Sequence, residues 1–150
     1  MKKWLLALVF SGLASLAQAQ LNPITWTFSA KKINDNTYEL QMKATIQTNW
    51  HLYSQTQPDD AVAMPTTFVL NPNPLFTLDG KIKEIGKMEK YTDKELKVSA
   101  NQYSNTVTFT QLIKLKGKAK TSVTGTVEYQ TCDDQKCLPP KKVSFKVALG

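Results

Sequence analysis

Apolar side chains recur at every second position along most of the chain after residue 20, and this period constrains the fold more than any other feature. Ile24, Trp26 and Phe28 alternate with threonines and a serine, and Tyr38, Leu40, Met42, Ala44 and Ile46 alternate with polar residues. The period returns in Val107, Phe109, Gln111, Ile113 and Leu115, in Val123, Gly125, Val127 and Tyr129, and in Val143, Phe145, Val147 and Leu149. On a helix these side chains would scatter around the axis, whereas on a strand they share one face that can be buried. Shorter strands are expected at Thr67 to Leu70 and near Lys81 to Ile85. Asn34-Asp35-Asn36, Pro58-Asp59-Asp60, Asn71-Pro72-Asn73-Pro74, Asp79-Gly80 and Lys116-Gly117 supply turn chemistry between the strands. Seven or more short strands so punctuated predict an all-β domain, an immunoglobulin-like antiparallel β-sandwich. The stretch from Gly86 to Lys97 has too few apolar positions for a buried face and reads as a long polar loop, with Met88, Tyr91 and Leu96 as its large apolar groups.

The first residues read differently. Lys2 and Lys3 precede an apolar run from Trp4 to Leu16, and Ala17-Gln18-Ala19 has the small-x-small form of a cleavage site, so residues 1–19 are expected to be an export signal peptide. The run is shorter than the roughly 20 apolar residues of a membrane span, and no later stretch reaches that length. With no cysteine at the cleavage point to carry a lipid, the mature chain, residues 20–150, is expected to be one domain without a membrane span, free in the periplasm or, as the second choice, secreted.

The formal charge of +7 is carried by lysine alone, for the chain has no arginine. Arginine is the residue of bidentate phosphate and base-edge recognition, and the lysines are scattered, so a nucleic-acid partner is not expected. Other chemistries lack their residues. His51 is the only histidine, there is no GxSxG elbow and no glycine-rich phosphate loop, and two cysteines with one histidine make an incomplete zinc site. The acid pairs Asp59-Asp60 and Asp133-Asp134 read as turn formers. No cofactor and no metal are expected.

What remains is the pair Cys132 and Cys137, the only cysteines, in the run YQTCDDQKCLPPKK. In an exported protein two cysteines are by default a structural disulfide. A bridge that closes so short a loop, however, removes only about 2 kcal/mol of unfolded-state entropy, and the strand pattern supplies a core without it. The polar turn and the Pro139-Pro140 exit place both sulfurs at a loop tip, where a partner thiolate could reach them. The pair is not a thioredoxin-type CxxC at a helix start, because four residues intervene and the prolines hold Leu138 extended. A thiolate would draw on Lys136, Lys141 or Lys142, while Asp133 and Asp134 would disfavour one on Cys132, so Cys137 is expected to attack and Cys132 to resolve.

The runs NWHLYS at Asn49 to Ser54, MPTTF at Met64 to Phe68, GKMEKY from Gly86 and VEYQTCDDQKCLPP at Val127 to Pro140 together resemble the N-terminal periplasmic domain of the DsbD-type protein-disulfide reductases. That resemblance implies an immunoglobulin-like sandwich with its redox cysteines on a hairpin, Cys132 and Cys137 here, the second forming mixed disulfides with partners. It implies that His51 and Tyr53 lie beside the pair. It also implies a mobile cap loop bearing an aromatic ring, best matched by Met88 to Lys94 with Tyr91 as the ring. The implied partners are periplasmic thioredoxin-like or disulfide isomerase proteins. Some members of the family have five residues between the cysteines, against four here. Because the reductases continue into membrane and thioredoxin-like domains and this chain ends at Gly150, a stand-alone, monomeric relay is expected.

Three functions therefore compete: a thiol-disulfide interchange module, a non-catalytic immunoglobulin-like binding module with a structural disulfide, and a metal or redox chaperone using Cys132, Cys137 and His51. The residues do not name the electron donor or acceptor, nor the direction of flow.

Overall fold

The computed structural model describes residues 21–150, so the export signal expected at residues 1–19 lies outside the described residues. The described chain forms eleven strands: β1 (Ile24–Lys32), β2 (Thr37–Ile46), β3 (His51–Tyr53), β4 (Thr67–Leu70), β5 (Phe76–Ile85), β6 (Met88–Asp93), β7 (Val98–Tyr103), β8 (Thr106–Leu115), β9 (Thr121–Tyr129), β10 (Thr131–Cys132) and β11 (Lys141–Leu149). Among the described residues no helix is long and apolar enough to cross a membrane. The strands pair antiparallel in three sheets ordered β1-β2-β8-β5, β11-β9-β4 and β10-β3-β7-β6.

The first two sheets make the sandwich. Leu40, Met42 and Ala44 of β2 and Val107, Phe109 and Ile113 of β8 meet Val123, Val127 and Tyr129 of β9 and Phe145, Val147 and Leu149 of β11 in one buried cluster. Aromatic rings join the layers. Phe28 of β1 stacks on Phe145 with ring centres 4.4 Å apart, and Trp26 meets Phe68 and Tyr129 edge to face at 6.0 and 5.5 Å. The alternation expected for the long strands is present, with the apolar positions inward.

Two positions that broke the apolar pattern have structural reasons. Gln111 is buried on β8, where its Nε2 donates to the carbonyls of Asp79, Gly80 and Leu112 at 3.0 to 3.2 Å. Those carbonyls are free because β5 slips register between Asp79 and Lys83, with Gly80 at φ 73°. Asp79-Gly80, expected as a turn, is thus a bulge within a strand. Gly125 sits where β9 passes β4 and β11, and a Cβ there would run into the Val69 carbonyl oxygen and the Phe145 ring.

The third sheet carries the largest correction. The stretch from Gly86 to Lys97 is not a loop: β6 pairs with β7 from Met88↔Tyr103 to Asp93↔Val98, and a short turn joins them. Being at the sheet's edge with both faces partly wet, β6 has no apolar contrast for a sequence pattern to show. The short strands β3, β7 and β10 were likewise not anticipated. This sheet hangs on the sandwich through Leu52 of β3 and Tyr103 of β7, both buried in the main core.

Glu84 of β5 tethers it further. Its carboxylate accepts from the Ser54 hydroxyl (2.8 Å), the Gln55 amide (2.7 Å) and the Tyr103 hydroxyl (2.5 Å). Burial first, and then the hydrogen bond and charge of Glu84, hold the Tyr103 phenol protonated far above the ordinary tyrosine range.

Two substitutions test this account by urea unfolding. Gly125→Ala should cost about 2 kcal/mol by overpacking against backbone. Glu84→Ala should cost about 2 kcal/mol by leaving the buried Ser54 and Tyr103 hydroxyls unpaired, whereas exposed Glu95→Ala should stay within about 0.5 kcal/mol.

Candidate redox site on the outer face of the third sheet

The pleat of the third sheet sorts its side chains. Leu52 and Tyr103 point to the core, so His51 and Tyr53, one residue either side of Leu52, point the other way. Register then brings neighbours beside them: Cys132 opposite His51, Gln102 opposite Tyr53 and Glu89, and Ala100 opposite Tyr91. Residues of four strands far apart in sequence thus share one outward face.

The cysteines sit at one edge of this face. After Tyr129 the chain leaves the β9 sheet at Gln130, pairs with β3 as β10, and turns back on itself. The Leu138 amide donates to the Thr131 carbonyl at 2.9 Å, and the Asp133 amide donates to the Lys136 carbonyl at 2.9 Å. Cys132 and Cys137 face each other across this hairpin and are joined in a disulfide, with Cα atoms 4.0 Å apart. The side chain of Asp133 closes the tip by accepting from the backbone amides of Gln135 (2.8 Å) and Lys136 (2.7 Å). Those two hydrogen bonds hold its carboxyl below the usual carboxylate range.

The two sulfurs are not equivalent, which corrects the expectation that both stand at the loop tip. Cys132 lies on β10 and is 4% exposed, packed with Tyr53, Ala100 and Ala63. Cys137, on the returning arm, is exposed. The expectation that Leu138 is extended agrees with its place in the hairpin ladder.

A cleft of about 510 Å³ opens over the pair, lined among others by His51, Tyr53, Tyr91, Gln102, Lys136 and both cysteines. Each of the residues expected at the site therefore reaches it. A second hollow of about 260 Å³ lies on another side of Tyr91 and also reaches Cys137. Tyr91 stands between the two with its ring half exposed, and it is presented by a strand, not by the expected loop. Burial, and secondarily the neighbouring Tyr91, raise the Tyr53 phenol above its ordinary range, so it stays neutral.

Of the three lysines expected to favour a thiolate, only Lys136 lines this cleft. Lys142 pairs with Glu128 at 3.7 Å on β9, and Lys141 borders a separate groove behind Pro139 and Pro140. The rim is otherwise acidic, with Asp93, Asp133 and Asp134.

Sequence reasoning missed Gln102 and Asp93 in the cleft and Ser104 and Glu89 behind His51. His51 Nδ1 lies 3.0 Å from the Ser104 Oγ, which in turn donates to Glu89 Oε2 at 3.2 Å, while His51 Nε2 lies 3.6 Å from Asp134 Oδ1. No motif marks these residues, because only the pairing of β6, β7 and β3 assembles them. Among the described residues no group of three or more histidine, cysteine, aspartate or glutamate side chains is placed to hold a metal ion.

Three solved structures of similar architecture are distant in sequence. The reduced N-terminal domain of Neisseria meningitidis DsbD matches with a TM-score of 0.55 at 14% identity, over 84% of this chain and 85% of that one. The N-terminal periplasmic domain of ScsB from Proteus mirabilis matches with a TM-score of 0.55 at 10% identity, over 82% of this chain and 44% of that one. A structure of the complex between the DsbD and PilB N-terminal domains of Neisseria meningitidis matches with a TM-score of 0.51 at 15% identity, over 87% of this chain and 88% of that one. No curated protein sequence matches the chain. The family profile described as "Thiol:disulfide interchange protein DsbD, N-terminal" matches residues 18–149, and the chain therefore belongs to the family of DsbD N-terminal domains.

Proposed function

We propose that residues 20–150 form a periplasmic thiol-disulfide interchange module, exported by residues 1–19, that relays electrons through Cys132 and Cys137 between thioredoxin-like proteins. The observation that carries this reading is the asymmetry of the pair: an exposed sulfur and a buried one, joined across a short hairpin beneath a cleft. Membership of the DsbD N-terminal family supports it. So does the complex of a Neisseria meningitidis DsbD N-terminal domain with a PilB N-terminal domain, and the periplasmic location of the ScsB domain supports the compartment.

In the electron-donating direction the exposed Cys137 thiolate attacks a partner disulfide. A mixed disulfide forms at Cys137, and one partner sulfur leaves as a thiolate that takes up a proton. The Cys132 sulfur then attacks Cys137 Sγ, the Cys132–Cys137 disulfide forms, and the second partner sulfur departs. Two electrons have passed to the partner, which leaves as a dithiol. Burial suits Cys132 to resolve, because it can reach its neighbour but not a partner. Lys136 is the cation placed to favour the Cys137 thiolate. Tyr91, standing between the two hollows that reach Cys137, is placed to restrict approach to it, a cap built as a strand edge.

A structural disulfide is the competing reading, and reducibility separates the two. Redox titration of the mature protein should give a midpoint within reach of thioredoxin-like donors, whereas a structural bridge would sit below about −300 mV. Cys132→Ser should trap a mixed disulfide with a thioredoxin-like protein, and Cys137→Ser should trap none; the reverse pattern would exchange the two roles. Tyr91→Ala should speed oxidation of the reduced pair by glutathione disulfide by about threefold or more, as expected when a shield over a reactive thiol is removed. An unchanged rate would remove Tyr91 from the cap.

A further inference from the structure

The relay described above requires the Cys132 thiol, enclosed by Tyr53, Ala100 and Ala63, to lose its proton before it can resolve the mixed disulfide. Only a thiolate attacks at a useful rate, and a thiol among apolar groups gives up its proton reluctantly. Lys136 is on the exposed arm of the hairpin, beside Cys137. The group facing Cys132 across the β10–β3 ladder is His51, and directly paired residues on antiparallel strands have Cβ atoms about 4.5–5.5 Å apart on the same face.

The hydrogen bonds around His51 accommodate a tautomer suited to this role. The Ser104 hydroxyl has one proton, and it is committed to Glu89 Oε2 at 3.2 Å. With that proton on Glu89, Ser104 Oγ accepts from His51 Nδ1, 3.0 Å away, and the proposed step uses this Nδ1–H tautomer of the neutral imidazole. In that tautomer Nε2 carries the free lone pair. It lies 3.6 Å from Asp134 Oδ1, a carboxylate on the exposed hairpin tip, while the ring itself is mostly enclosed, its side chain 19% exposed. A carboxylate, a hydroxyl and an imidazole in series are the parts that orient and charge-stabilise a general base.

We propose that His51 Nε2 is the proton acceptor for Cys132 in the resolving step, with Glu89 and Ser104 as positioning residues and Asp134 as counter-charge to the imidazolium. The proposal rests on the relay reading. The Cys132 S–H proton passes to Nε2, the Cys132 thiolate attacks Cys137 Sγ, and the Cys137 bond to the partner sulfur breaks. The departing partner thiolate collects the proton from the imidazolium, which returns His51 to its neutral form. The charged or titratable groups around this ring are Asp134, Asp133 and Lys136 on the hairpin, Cys132 on β10, Glu89, Tyr91 and Asp93 on β6, and Tyr53 on its own strand. The charge nearest Nε2 is negative.

The test separates capture from resolution in single-turnover oxidation of the reduced mature protein by glutathione disulfide, followed from pH 5 to 9. In wild type the first-order resolving rate should rise with pH to a plateau, as a step that needs a neutral imidazole requires. In His51→Gln the resolving rate at pH 7 should fall by about 100-fold, the scale of a lost general base, and the remaining rate should climb only as the thiol ionises. The second-order capture rate, isolated in the Cys132→Ser background, should fall much less. Asp134→Asn, on an exposed tip, should keep the fold and slow resolution, since the imidazolium formed in the step loses its counter-charge. Ser104→Ala should slow resolution and Ser104→Thr should restore it. If His51→Gln and Asp134→Asn both resolve with the wild-type rate and profile, the proton acceptor is not His51. If Cys132→Ser captures no glutathione at all, the relay reading itself falls, and this proposal with it.

Discussion

The pleat of β3 is the constraint on which the rest depends. Leu52 is fully buried in the sandwich core, and because alternate residues of a strand point to opposite faces, burying it fixes His51 and Tyr53 on the outside. Tyr103 does the same for Gln102 on β7, with Glu84 of β5 clamping its hydroxyl. The site is therefore not an appendage of flexible loops. It is the reverse side of a sheet whose front is core, and its geometry is held by the same burial that holds the domain together.

On that platform the hairpin from Thr131 to Leu138 presents its two sulfurs unequally. Pairing with β3 draws Cys132 inward, while the turn that Asp133 closes through its own carboxylate leaves Cys137 outside. Local polarity follows the same division. Cys132 is among apolar side chains and opposite an imidazole, and Cys137 opens to a rim where Lys136 is outnumbered by aspartates. A chain that is basic overall thus offers an acidic mouth, and complementarity at such a surface governs encounter and choice of partner more than raw affinity.

How much of this was legible in the residues depended on whether a strand had two contrasting faces. β1, β2, β8, β9 and β11 each bury one side against the opposite sheet, so Tyr38 to Ile46 or Val107 to Leu115 declare themselves by alternation. β3 and β10 are too short to show a period. β6 is partly wet on both faces and β7 turns its second face to the cleft, so Glu89, Tyr91, Gln102 and Ala100 give no polar and apolar rhythm. The cysteine pair and the aromatic run HLY were visible, but the burial of Cys132 was not, because Tyr53 and Ala100 that cover it arrive from distant segments. Lys141 and Lys142 looked like neighbours of the sulfurs by number and belong, through the β11 ladder, to the other side of the hairpin.

The shortness of the cysteine hairpin has a consequence for stability. Opening a bridge that closes so few residues gives the unfolded chain little new freedom, about 2 kcal/mol by loop-closure entropy, and the core lies in strands the bridge does not join. Opening the bridge therefore leaves the sandwich its own core and costs the fold only that small share. Under the proposed relay, such a chain would wait for its partner in either redox state with its sandwich intact.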